Sequence, residues 1–211
     1  MPRQTSSRLR RVVAAWLAAV AVLSGCSHEG PLEPPVPSGA TEIGGPPVTS
    51  APPPPPGWNP KDVIPTSQQQ AQDLLVSYLQ RPCKRPPGTF LDSAGYAGAG
   101  HNNGCEDEAK DPKTAPVHFQ TIGNLTVPDN SDPNALISKV GEIWRSWGWY
   151  VFERDGFTKP NQFGYGPDGY RLQIEAANPP SYPPTVQGST PCFPGSIADD
   201  NIAFPEKVTA G

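Results

Sequence analysis

Histidine is scarce in this 211-residue chain: there are three, His28, His101 and His118. Imidazole acid–base chemistry therefore rests on His101 or His118, since His28 falls in a proline-rich stretch. No G-x-S-x-G run supplies a serine nucleophile elbow. The glycines of Gly95 to Gly100 neither follow a strand nor open a helix, as a dinucleotide site requires. Positive charge is short as well. Arg3, Arg8, Arg10 and Arg11 account for four of the 16 Lys+Arg, whereas none of the 20 Asp+Glu precede residue 26, so the chain from there on carries 12 basic against 20 acidic residues, net −8. That balance argues against a nucleic-acid partner, whose phosphates need a basic footprint, and against electrostatic adsorption to anionic lipid. Long apolar runs are limited to Val12 to Leu23, twelve residues, where a permanent membrane span needs about 20. No internal repeat is visible.

What is present at the start is a basic cluster, that short apolar run, and then Leu23-Ser24-Gly25-Cys26. The combination resembles the lipobox of bacterial lipoproteins. The resemblance implies a signal peptide over residues 1–25, cleavage just before Cys26, and diacylglycerol on the Cys26 thiol. Attachment to the membrane then comes from acyl chains such as palmitate, each buried methylene contributing about 0.8 kcal/mol, so that two or more chains anchor stably where one does not. The expected location is the extracytoplasmic face of the cell membrane.

Residues 26–60 read as a lipidated, disordered tether. Twelve of the 30 prolines lie between Pro31 and Pro60, including the run Pro52 to Pro56. Polyproline II rises about 3.1 Å per residue, so thirty residues extend on the order of 90 Å, a stalk that lifts a domain off the membrane.

The globular domain is expected over 61–194, with 195–211 as C-terminal coil. Thr66-Ser67, each followed three residues later by glutamine, resembles a capping box. Ala71, Leu74, Leu75, Tyr78 and Leu79 then mark one apolar helical face, ending before Pro82. Thr89-Phe90-Leu91 begins a strand, Gly95 to Gly104 has loop composition, and Val117, Phe119 and Thr121 alternate as a strand ending near Gly123. Asp132-Pro133 caps a second helix whose buried face is Leu136, Val140, Ile143, Trp144 and Trp147, with Gly148 as its left-handed terminator. Trp149 to Glu153 follows as a strand. Phe163 to Tyr165 and Tyr170 to Ala176 form a hairpin, and from Asn178 on the chain reads as proline-punctuated coil. The fold class is α+β: a two-layer sandwich of about four antiparallel strands with two helices on one face.

Cys83, Cys105 and Cys192 form an odd set in the domain. One disulfide is the default for an exported chain. Three pairings are open; Cys105 to Cys192 is preferred because it ties the C-terminal segment to the sheet, and Cys83 to Cys105 is the runner-up. A loop near ninety residues corresponds to about 4.6 kcal/mol on the loop-closure account. Cys105 followed by acidic residues, the late Gly169–Glu175 strand and Cys192-Phe193 are similar to the LppA-like lipoproteins of mycobacteria. That resemblance implies a small α+β domain with a cysteine pair joining those two places and implies no activity; Cys83 and the proline stalk depart from it.

An enzyme reading, a cysteine-dependent hydrolase of envelope material, needs Cys83 or Cys105 as nucleophile and His101 or His118 as base, but no local signature accompanies them. A metal reading would use His101, Cys105, Glu106, Asp107, Glu108 and Asp111; the acidic run lacks calcium-loop spacing and is better read as a charged loop. No metal or cofactor is expected. Trp144 and Trp147 read as core. Tyr150 and Phe152, which share a parity on their strand, together with Arg171, Gln173 and Glu175 on the polar side of the hairpin, form the candidate binding face. The expected function is a non-catalytic, membrane-anchored module that binds or braces a component of the cell envelope.

Overall fold

The computed structural model describes residues 51–84, 88–94, 100–111, 113–129 and 131–210. Cys26, the expected signal peptide and most of the expected tether lie outside these residues.

Helix α1 (Gln68–Gln80) begins at Ser67, whose hydroxyl accepts from Gln70 N–H. The Gln70 side chain reaches back to the Thr66 backbone N–H at 2.7 Å and the Thr66 hydroxyl at 2.9 Å. The reciprocal bond of a capping box is thus made one residue earlier than in the usual pattern. Helix α2 (Pro133–Ser146) is capped by Asp132 with proline in the first turn. It ends as its sequence suggests: Gly148 (φ 80°) donates to Arg145 O at 2.9 Å, and Trp149 donates to Trp144 O at 3.3 Å. These two bonds form a Schellman motif that satisfies carbonyls of the last turn and turns the chain into the next strand.

Eight strands are found among the described residues: β1 (Phe90–Asp92), β2 (Gly100–Gly104), β3 (Val117–Thr126), β4 (Tyr150–Phe152), β5 (Asn161–Tyr165), β6 (Arg171–Glu175), β7 (Thr185–Ser189) and β8 (Lys207–Thr209). They make one antiparallel sheet in the order β4-β5-β6-β7-β3-β1-β8, with β2 also paired to β3. The sheet is twice the expected width. β2 came from a stretch with loop composition, and β7 and β8 from segments read as coil. β3 is ten residues long and runs through Gly123, so its two halves can pair β2 and β1 on the same side.

Leu172 and Ile174 of β6 are joined in one core with Ala71 and Leu75 of α1 and Ile137, Val140 and Trp144 of α2. Gly164 of β5, paired with Leu172, lies beneath α2: a Cβ there would come 2.7 Å from Trp144 Cε3. Only a residue without a side chain lets the large indole settle on the strand. Trp149 belongs to the same core, whereas Trp147 packs at its margin.

The last residues, read as coil over 195–211, contribute β8. It pairs with β1, and Val208 is 2 % exposed within the main core. The tether reading also needs correction at its end. Lys61 N–H donates to Pro167 O at 2.6 Å and Val63 N–H to Asp168 O at 3.0 Å, while Trp58 and Ala51 pack on aromatic residues of the sheet. The segment from residue 51 therefore belongs to the domain surface, because aromatic side chains far away in sequence give its apolar residues something to cover.

Candidate functional site

The candidate binding face is assembled by strand register. Tyr150 pairs with Tyr165 and Tyr165 with Arg171; Phe152 pairs with Phe163 and Phe163 with Gln173. Period-two alternation puts all of these side chains, with Glu175, on the side of the sheet away from the helices. Placement on one face therefore agrees with the sequence reading, but exposure does not. Tyr150 is 7 % and Phe152 6 % exposed. They form a second core with Phe163 and Tyr165, covered by Ala51, Trp58 and Phe157. An aromatic cluster of that size costs too much to leave in water, and the chain covers it from two directions.

One cover is the loop between β4 and β5. Asn161, fully buried, accepts from Arg154 N–H at 2.8 Å and donates to Arg154 O at 3.0 Å and Thr158 O at 3.4 Å. This folds the loop back, bringing Phe157 to 4.8 Å from Phe163 and the Arg154 guanidinium to 5.0 Å from the Phe163 ring. The second cover is the proline segment. Tyr150 Oη donates to the Pro52 carbonyl, and the Trp58 ring centroid lies 5.1 Å from that of Tyr150. Burial pushes the Tyr150 phenol up; it also pushes Tyr165 up, an effect opposed by the charge and hydrogen bond of Arg154. Between the segment and the α2–β4 corner is an open cleft of about 640 Å³, lined by Pro52, Pro55, Trp58, Arg145, Trp147 and Tyr150 among others.

Farther along the same face the sheet is polar. Arg171, Gln173 and Glu175 pair with Ser189, Gln187 and Thr185 of β7, which in turn pair with Gln120, Ile122 and Asn124 of β3. An amide relay crosses it: Asn103 Nδ2 donates to Gln120 Oε1 at 2.9 Å, and Gln120 Nε2 to Gln187 Oε1 at 3.4 Å. Gln173 is 1 % exposed, and its Oε1 has no hydrogen-bond partner among the described residues. Desolvation raises the Glu175 carboxyl, partly offset by the Thr158 backbone N–H that donates to it. The polar half of the candidate face is therefore the more accessible half, with Arg171 and Glu175 partly exposed at the ends of β6.

Cys105 and Cys192 are joined, with their Cα atoms 6.4 Å apart and a sequence separation of 87. Cys83 is 1 % exposed, its thiol directed at Leu79 O and Val208 O, and burial pushes it up. His118 Nδ1 lies 3.6 Å from Cys105 Sγ, so the structure does bring together one of the sulfur–imidazole pairs considered for an enzyme, with the sulfur in a disulfide. That sulfur is committed to Cys192, and the Cys83 thiol is sealed between α1 and β8.

Among the described residues, the one His/Cys/Asp/Glu group close enough to share an ion is Cys105, His118 and Cys192, and two of its three ligand atoms are bonded to each other. His101 and Cys105 are separated by the length of β2, about 13 Å along an extended strand, so the pair seen in the sequence does not converge. Asp111 accepts from Lys113 N–H and the Thr114 hydroxyl, which makes it the pivot of a turn.

Sequence reasoning missed Pro52 and Trp58 as parts of the aromatic face, and Gln120, Gln187 and Asn103 as parts of the polar one. A tryptophan closing a run of five prolines was the available signal for the first group; the second became visible only once β7 was a strand. A scan against protein-family models and searches of curated proteins and of solved structures find no match to this chain.

Proposed function

We propose that this chain is a lipoprotein held at the extracytoplasmic face of the cell membrane by acyl chains on Cys26, and that its domain is a non-catalytic binding or bracing module of the envelope. The Cys105–Cys192 disulfide carries the reading: such a bond persists in oxidising compartments and is uncommon in a reducing cytosol. The Leu23-Ser24-Gly25-Cys26 motif supplies the route there and the anchor. No domain cysteine is available as a nucleophile, Cys105 and Cys192 being bonded to each other and Cys83 buried with a raised pKa, which favours binding over hydrolysis. The module meets its envelope partner through the polar reverse face around Arg171, Gln187 and Gln120, a flat array of amide donors and acceptors beside one cation.

Cys26→Ala tests the anchor in cells. The parent chain should sediment with membranes and the variant should appear in the soluble extracytoplasmic fraction; retention of the variant on membranes would contradict lipid anchoring.

A further inference from the structure

Residues 51–56 read Ala-Pro-Pro-Pro-Pro-Pro. A residue that precedes proline is pushed out of the helical region, so five consecutive prolines impose extended, left-handed polyproline II on residues 51 to 55. A segment of this kind has lost most of its conformational entropy before it binds anything, and the prolines themselves offer its carbonyls no N–H donors. It presents flat pyrrolidine rings on one side and free acceptors on another. A surface that recognises it needs aromatic faces for the rings and at least one hydroxyl or indole N–H for a carbonyl.

The α2–β4 corner has these parts. Trp147, Trp149 and Tyr150 line the cleft on the domain side, and Pro52, Pro53, Pro55, Pro56 and Trp58 line it from the segment. Tyr150 Oη donates to the carbonyl of Pro52. The docked run is held on one side only: Pro52 to Pro56 and Gly57 remain exposed, while Ala51 and Trp58 are half-buried. β4 is the terminal strand of the sheet, so the segment lies on the rim and can leave without breaking a ladder.

We propose that the α2–β4 corner is a recognition site for proline-rich peptides, that the chain's own Pro52–Pro56, which forms the facing wall of the cleft, is its resident partner, and that a proline-rich segment from another molecule competes for it. The site is independent of lipid anchoring at Cys26 and of the polar reverse face. Displacement of the resident run would release Ala51 to Gly57 from the domain, so that binding in trans lengthens the tether.

The test uses the full chain with Pro52–Pro56 replaced by alternating Ser and Gly, and a synthetic peptide of residues 51–57 followed by protein tryptophan fluorescence. The peptide should produce a saturable change in the replaced chain. It should bind the parent chain about tenfold or more weakly, because resident occupancy lowers the fraction of open sites, and Tyr150→Phe in the replaced chain should weaken it severalfold. A Gly-Ser peptide of equal length should produce no change. Absence of saturation at millimolar peptide, or equal binding to parent and replaced chains, overturns the proposal. A second measurement does not depend on the replaced chain folding. In the parent background, Tyr150→Phe should speed hydrogen exchange severalfold at the Trp58 N–H, which is bonded to Pro55 O at 3.0 Å, while leaving core amides unchanged. An unchanged Trp58 rate would show that the hydroxyl does not hold the segment.

Discussion

Single residues decide how the helices meet the sheet. Gly148 has φ 80° and nothing within 4 Å of where a Cβ would stand, so Gly148→Ala has a purely conformational cost. A left-handed alanine is disfavoured by about 1–2 kcal/mol, and a fall of that size in unfolding free energy, measured by urea denaturation, is the expected outcome. Glu175 makes a pH-dependent prediction. A carboxyl raised by folding binds more protons in the native than in the unfolded chain over the interval above its ordinary value of 4.5, so stability falls as pH rises through that interval. Glu175→Gln removes the partly buried charge and keeps an acceptor for the Thr158 N–H. The variant should be more stable than the parent at neutral pH and equal to it near pH 4; equal urea midpoints at both pH values would show that Glu175 ionises in the fold at no cost. These features differ in legibility. Gly148 was readable because a glycine after an amphipathic helix is a local signal. The burial of Tyr150 was not, because its covers, Trp58 and Phe157, bear no sequence periodicity to it.

At the scale of elements, α1, α2, β4 and the β5–β6 hairpin were readable from the sequence, each carrying its own periodicity and its own stop signal. β2, β7 and β8 were not. The Gly-His-Asn-Asn-Gly stretch of β2 has little intrinsic strand preference, and it is a strand because β3 is long enough to pair it. β8 is three residues preceded by a proline-punctuated run, and it is fixed by β1 and by burial of Val208. Val208→Ala discriminates between coil and core here. In a solvated tail it would change stability by less than about 0.5 kcal/mol, whereas loss of two buried methyl groups from the core should cost about 1.5–2.5 kcal/mol. Chemical denaturation separates the two. The candidate face shows the same division, since the alternation of Arg171, Gln173 and Glu175 identified their shared side while the neighbouring β7 that completes the amide array was invisible.

For the whole molecule, composition indicated a single α+β domain behind a proline-rich stretch, and an odd cysteine set with one pair expected. The Cys105–Cys192 bond agrees with the preferred pairing. Composition alone placed the end of the tether too late, because proline runs read as linkers unless an aromatic partner is known. One side of the sheet is packed under the helices, and the other is divided between an aromatic cluster covered by Ala51, Trp58 and Phe157 and a polar field around Arg171, Gln187 and Gln120. The proposed role depends on where this domain is held, and in our proposal acylation of Cys26 determines that. Mass spectrometry of the N-terminal peptide of the protein extracted from membranes measures it directly. The account predicts a peptide beginning at Cys26 and carrying the added mass of an acylated glyceryl group; a peptide that extends upstream of Cys26, or one with an unmodified Cys26, would contradict it.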